Sequence, residues 1–335
     1  MILSRFLYLL DEVKYSFVEA MVKKRSLDEA YFWIAEYYFT EYYEETWNII
    51  WELYYDFYAI LNPKYESFIQ KKYEEFTMDD VLTVVKSLFP LNIDNSVFKL
   101  RMECSSKPSK FYTGRIPSWA KEHTDFILSV HFNHTKNISY QLSLLGADKA
   151  YQLIRHYYNR HSEHAVGNKL PDISYSNKHH ICMALIYYLS LEEEKINTSL
   201  IIRATTEEEV DKIYNTEDDI IKPLRKTLTS KRLYGVSPTI GAFNLNRYNS
   251  DIPVEHVLWY HWLYYAYKSP LWKKRLSKYT IRINDQSREI NFGSVDDAEE
   301  FAEKYDYEPD ELPKEVQIRS IRPIFKMDLT EWLEN

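Results

Sequence analysis

Glycine occurs six times in 335 residues and not once before Gly114. A globular chain ordinarily carries about 7% of it. The scarcity removes the residue that lets backbone turn left-handed or pass close to a phosphate. No GxGxxG, GxxxxGKS/T or GxSxG occurs anywhere in the chain. Dinucleotide-binding folds, P-loop NTPases and α/β-hydrolases are thereby excluded.

Hydrophobic residues make up 45% and charged residues 27%, which excludes disorder as a whole. Against 50 acidic residues stand 42 basic ones, a net charge of −8. Nucleic acid would therefore have to be met by a local patch. Cys104 and Cys182 form no disulfide framework. Arg5, Asp11 and Glu12 break up the apolar N-terminus, and no small-residue cleavage site follows, so no signal peptide is expected. The longest uncharged apolar run, Ile181 to Leu189, is about half a membrane span. A soluble cytosolic protein is the expectation, with the N-x-S/T sequons at Asn133, Asn137 and Asn197 left bare.

Residues 1–100 read as an aromatic-rich helical domain. Leu3, Phe6, Leu10, Val13, Phe17 and Ala20 recur at spacings of three and four, predicting one helical face closed by Lys23, Lys24 and Arg25. Ser26 with Glu29 predicts a capping box opening a helix through Phe39. A third helix is expected from about Glu41 to Leu61, stopped at Asn62-Pro63, with Glu44, Asn48, Glu52 and Asp56 as its polar strip. Thr77 with Asp80 opens another, ending near Pro90. From Tyr31 to Tyr58, 14 of 28 residues are aromatic. Rings of that density read as core between helices, with a stacking groove as the alternative.

Residues 101–195 read as a mixed helical region with a basic loop, the helices around Asn137 to Arg160 and Asn177 to Glu194. Residues 196–335 read as an α+β region. There Leu200 to Ile202 suggests a short strand before a helix capped by Thr206 and Glu209. Tyr279–Ile283 and Glu289–Phe292 form a hairpin around Asn284-Asp285-Gln286-Ser287, and Ser294 with Asp297 opens an acidic helix. The fold class expected is mainly α: an irregular, α-solenoid-like stack of antiparallel helices with one small β-hairpin late in the chain. No repeat of fixed period is visible.

Several clusters are candidates for chemistry. The loop SSKPSKFYTGRIPSWAK interleaves Lys107, Lys110, Arg115 and Lys121 with Phe111, Tyr112 and Trp119. Cations for phosphates beside rings for bases suit single-stranded nucleic acid, and solvated surface is the plainer reading. Lys222/Arg225/Lys226/Lys231/Arg232 and Lys273/Lys274/Arg275/Lys278 would extend such a track. His131-x-x-His134, His161-x-x-His164 and Cys182 have zinc-like spacing, yet there is no second cysteine pair and no HExxH, so neither metal nor cofactor is expected. Asp296 to Glu311 holds nine acidic residues against Lys304. That run is a solvated helix or a dock for a basic partner, for which Asp296, Asp297, Glu299 and Glu300 are the candidates. Trp332, in the amphipathic C-terminal peptide, either packs onto the body or enters a partner's groove. No nucleophile–base pair or isolated carboxylate pair marks a catalytic residue.

The runs LDEVKYSFVEAMVKK, AYFWIAEYYFTEYYEETWNIIWELYYDFYAILNPKYE, SPLWKKRLSKY and DDAEEFAEKYDYEPDELPKEVQ resemble a family of proteins encoded by giant, mimivirus-like nucleocytoplasmic large DNA viruses. The resemblance spans about 1–70 and 255–320. Members tend to carry glycine in the turn after the second helix, where Thr40-Glu41 stands here. The resemblance implies gene expression in host cytoplasm or a viral factory; it implies no activity and transfers no functional residues. Together these readings point to a non-enzymatic scaffold gathering other proteins of a viral gene-expression complex, by fold-level analogy with helical-repeat scaffolds. The alternatives are an RNA-binding factor using the basic–aromatic loop, and an enzyme or zinc protein.

Overall fold

The computed structural model describes residues 1–95, 98, 99, 122–126, 197, 199–218, 245, 246, 250–305 and 329–334. Among them the protein is mainly helical with one two-stranded antiparallel sheet late in the chain. The chain divides into two compact units: Met1–Thr46, Phe76–Phe89 and Arg203–Asn335 in one, Trp47–Glu75 and Pro90–Ile202 in the other.

In the first unit the helical period that begins at Leu3 overstates the first helix. α1 is Leu10–Val22, and residues 3–9 form a buried loop closed by an antiparallel bridge between Leu3 and Leu9. Leu7 stands at φ 61°, and Leu7 N–H donates to Ser4 O. The loop follows a buried carboxylate. Glu36, on α2 (Leu27–Tyr38), accepts from Ser4 Oγ at 2.6 Å, Phe6 N–H at 2.6 Å and Arg5 Nε at 3.1 Å. Thr40 Oγ1 accepts the Arg5 N–H. A charge-assisted network of this kind outweighs the weak preference of seven residues for helix.

α1 ends as expected at Lys23, with Lys24 left-handed (φ 51°) and Arg25 N–H on Ala20 O. This is a Schellman closure made without glycine. Ser26 Oγ accepts Glu29 N–H to open α2, and the Glu29 carboxylate faces Trp33 and Arg25. In the turn after α2, Glu41 takes φ 68° and donates its N–H to Tyr38 O. The predicted box of Thr77 and Asp80 opens α5 (Met78–Leu88) with both reciprocal bonds present. Thr206 and Glu209 do the same for α6 (Glu207–Asp218), which reaches α5 through Lys86–Glu209 at 2.6 Å and α2 through Lys212–Asp28 at 3.2 Å.

The second unit takes in α3 (Tyr43–Leu53) from Trp47 onward, a π-helical turn Tyr54–Tyr58, and α4 (Tyr65–Glu75). The Tyr54 carbonyl accepts from Ala59 N–H, the widened ring of a π turn. Trp47, Trp51, Tyr54, Tyr55, Phe57 and Tyr58 are all buried, so here the aromatic run is core. The polar strip expected at Glu44, Asn48, Glu52 and Asp56 sinks along the helix: Glu44 is exposed and Asp56 is buried. Asn62 gathers the chain after the π-helical turn, its side-chain N–H groups on Tyr58 O and Asn92 O and its oxygen accepting from Asn197. Leu200–Ile202 forms no strand. Its Ile201 backbone is occupied by the Tyr65 hydroxyl rather than by a neighbouring strand.

Back in the first unit, α7 (Val254–Tyr260), α8 (Trp262–Ala266) and α9 (Pro270–Leu276) precede the hairpin, with Ser269 capping α9. β1 (Ile281–Asn284) pairs with β2 (Glu289–Phe292) in the register Ile281↔Phe292 and Ile283↔Ile290, around the turn expected from the sequence. At Gly293 an added Cβ would stand 3.0 Å from Thr280 Cβ, because Gly293 N–H bonds Thr280 O at 2.7 Å. At this position any larger residue would require Thr280 to give by a few tenths of an ångström. α10 (Val295–Tyr305) follows, and α11 (Leu329–Glu334) ends the described chain.

Candidate functional site

α10 is seated by rings. Phe301 and Tyr305 lie on Trp272 at 6.3 and 5.6 Å, and Phe301 also meets Tyr279 and Phe292 at 5.7 and 5.2 Å. Trp272 is fully buried and donates its indole N–H to Ser4 O at 3.0 Å. Arg275 lies over both Trp272 (4.5 Å) and Tyr305 (4.9 Å). One face of the helix is therefore fixed by aromatic packing, worth about 0.5–1.5 kcal/mol per ring pair beyond area burial.

The opposite face carries charge. Asp296, Glu299, Glu300 and Glu303 are exposed and Asp297 is half-buried. Ser294 Oγ accepts Asp297 N–H at 3.1 Å, which confirms Ser294 as the cap. Glu300 also accepts the Tyr279 hydroxyl at 3.2 Å; burial, then that carboxylate, holds the phenol above its ordinary range. Val295, the first residue of the helix, is 72% exposed beside these acids.

Trp332 is placed differently. Its ring is 2% exposed, Lys23 Nζ stands 5.0 Å above it, and the same ammonium donates to the Trp332 carbonyl. The indole is packed against its own chain, as the plainer sequence reading has it. Burial lowers the Lys23 pKa, and the Glu19 carboxylate partly restores it.

The basic–aromatic residues Lys107, Lys110, Phe111, Tyr112, Arg115 and Trp119 lie outside the described residues, as do Lys121, the Lys222–Arg232 cluster, His131, His134, His161, His164 and Cys182. Of the third basic cluster, Lys273, Lys274 and Lys278 are exposed, Lys274 paired with Glu41 at 2.6 Å. Arg275 is withdrawn among the rings, so these four cations do not form one open track. Among the described residues no group of three or more His, Cys, Asp or Glu side chains is placed to hold a metal ion. No helix among them is long and apolar enough to cross a membrane.

Two polar constellations escaped sequence reasoning. One is the Arg5–Glu36 pair with its three converging donors; its trace is a single glutamate inside the apolar run AYFWIAEYYF. The other is the Tyr65 hydroxyl on Ile201, 136 positions apart, which no local pattern announces. Comparison with protein-family models, with curated proteins and with solved structures finds no match to this chain.

Proposed function

We propose that the protein is a non-enzymatic helical scaffold of a large DNA virus that holds other proteins of a gene-expression complex in host cytoplasm or the viral factory. The observation that carries this reading is the face of α10. Exposed carboxylates at 296, 299, 300 and 303 stand on a helix whose other side is anchored by Phe301 and Tyr305. A fixed row of like charges suits long-range steering and register with a basic protein surface. The viral assignment rests on the resembling runs alone.

The test is affinity purification of the tagged protein from infected cells, with and without nuclease, compared with the variant Asp296→Lys/Glu299→Lys/Glu303→Lys. Proteins retained after nuclease and lost from the variant are the expected result; retention by the variant overturns the role of this face. Partners that depart with RNA would favour single-stranded RNA binding through Lys107, Lys110, Phe111, Tyr112, Arg115 and Trp119, a reading carried by the alternation of cations and rings in that sequence.

A further inference from the structure

Leu200, Ile201 and Ile202 are 41%, 55% and 51% exposed, three consecutive aliphatic side chains at the surface. Their backbone is held on one side. The Tyr65 hydroxyl donates to Ile201 O at 2.9 Å and accepts from Ile201 N–H at 3.1 Å. One atom reaches both groups only if they point the same way, as in an extended residue; in a helix they point in opposite directions along the axis. The peptide planes on either side are trans, so the Leu200 carbonyl and the Ile202 N–H project to the other side. Among the described residues neither group has a hydrogen-bond partner. The segment is also anchored just before its exposed part: Asn197 N–H bonds Leu61 O at 2.7 Å, and Asn197 Oδ1 accepts Ser199 N–H at 3.0 Å.

We propose that this edge pairs two copies of the chain, antiparallel, about a two-fold axis at Ile201. Antiparallel pairing is the arrangement in which a single strand edge complements itself. In this register Ile202 N–H of each copy donates to Leu200 O of the other, which occupies the two groups that the fold leaves open. Ile201 faces Ile201 at the closely spaced, non-hydrogen-bonded position, where β-branched side chains pair well. Arg203 falls opposite Ser199 of the second copy rather than opposite another arginine, so no like charges meet. Strand edges that stay single are usually guarded by lysine, proline or a covering element; Ser199–Ile202 contains neither residue. The occupant is a second copy because the same edge offers the donor and the acceptor, spaced as its own image requires. This pairing is independent of the acidic face of α10.

Sedimentation of the full chain across a dilution series is expected to show reversible association toward twice 40.4 kDa. The variant Leu200→Lys/Ile202→Lys, both changes at exposed positions, should remain monomeric with an unchanged circular dichroism spectrum. Ile201→Cys, in a chain with Cys104→Ser and Cys182→Ser, should give a disulfide-linked dimer under mild oxidation, since Cα atoms at the non-hydrogen-bonded position lie about 4.5 Å apart. Val295→Cys in the same background, exposed but distant in sequence from the edge, should not. A wild-type chain that is monomeric at every concentration overturns the proposal. So does a dimer that the lysine variant leaves intact, or equal cross-linking of the two cysteine variants.

Discussion

The Arg5 guanidinium donates from Nε to the Glu36 carboxylate at 3.1 Å, at a point where the two side chains are 2% and 0% exposed. Burial raises the Glu36 pKa, and Arg5, the Ser4 hydroxyl and the Phe6 N–H pull it back down. Arg5 also lies over the rings of Phe6 (4.2 Å) and Phe39 (4.7 Å). The pair ties the N-terminal loop to α2 and gives residues 3–9 their non-helical path.

Removing one partner of a buried ion pair costs about 3–5 kcal/mol, and the two sides are unequal here. Glu36→Ala strands a guanidinium that cannot lose its proton, together with the Ser4 and Phe6 donors. Arg5→Met leaves a carboxyl that can take up a proton and stay hydrogen-bonded. Urea unfolding should therefore show a larger loss for Glu36→Ala than for Arg5→Met. Equal losses would mean that the charge in this network is immaterial.

Glu19 sets a pH dependence. Burial raises its pKa from 4.5 to about 7, against the opposing pull of Arg25, whose guanidinium donates at 2.7 Å. Its second carboxylate oxygen is buried without a partner. Because the folded state holds this proton more tightly than the unfolded state, the stabilising contribution is complete below pH 4.5 and is lost as pH rises through about 7. At 1.36 kcal/mol per unit the upper limit is roughly 3 kcal/mol. Unfolding free energies measured between pH 4.5 and 8 should fall with pH in the wild type and be flatter in Glu19→Gln. Equal slopes would place the titration elsewhere.

A left-handed residue other than glycine costs about 1–2 kcal/mol. Glu41, at φ 68°, carries that cost, and its carboxylate pairs at the surface with the exposed Lys274, worth about 1 kcal/mol at most. In a Lys274→Ala background, which removes the pair, Glu41→Gly should raise stability by about 1 kcal/mol, read from thermal or urea unfolding. A loss would show that the carboxylate has a second role at the turn.

The box at the start of α5 is complete, with Thr77 Oγ1 accepting Asp80 N–H at 3.2 Å and the Asp80 carboxylate accepting Thr77 N–H at 3.3 Å. Thr77→Ala should cost about 1 kcal/mol, and Thr77→Ser should restore most of it. Hydrogen exchange at the first amides of α5 would locate the loss at the cap.

Trp272 joins the N-terminal loop to the ring cluster beneath α10. Trp272→Ala opens a cavity and leaves the Ser4 carbonyl with Leu7 N–H alone of its two donors, for an expected loss of about 3–5 kcal/mol. Trp272→Phe retains most of the packing and isolates the smaller contribution of the indole hydrogen bond. If both variants unfolded alike, the hydrogen bond rather than the ring would dominate.

What the sequence determined by itself was local. The caps at Ser26, Thr77, Thr206, Ser269 and Ser294 bond amides within four residues of themselves. The hairpin register follows from period-two alternation around a short turn. The glycine scarcity was equally legible, and its structural counterpart is left-handed backbone at Leu7, Lys24, Glu41, Phe76 and Arg288. Only the tertiary structure decided the rest. Leu3 and Phe6 have helical spacing, yet a carboxylate thirty positions away bends them into a loop, because satisfying buried donors outweighs helix propensity. Leu200–Ile202 reads as a strand, yet its partner is the hydroxyl of Tyr65, and its opposite edge meets no partner among the described residues. In α10 the run of acids was legible as a solvated helix, but the seating of its other face through Phe301 and Tyr305 depended on Trp272 and Phe292 arriving from separate elements. Short-range hydrogen bonds are written in adjacent residues; burial depends on what the remainder of the chain brings to the same place.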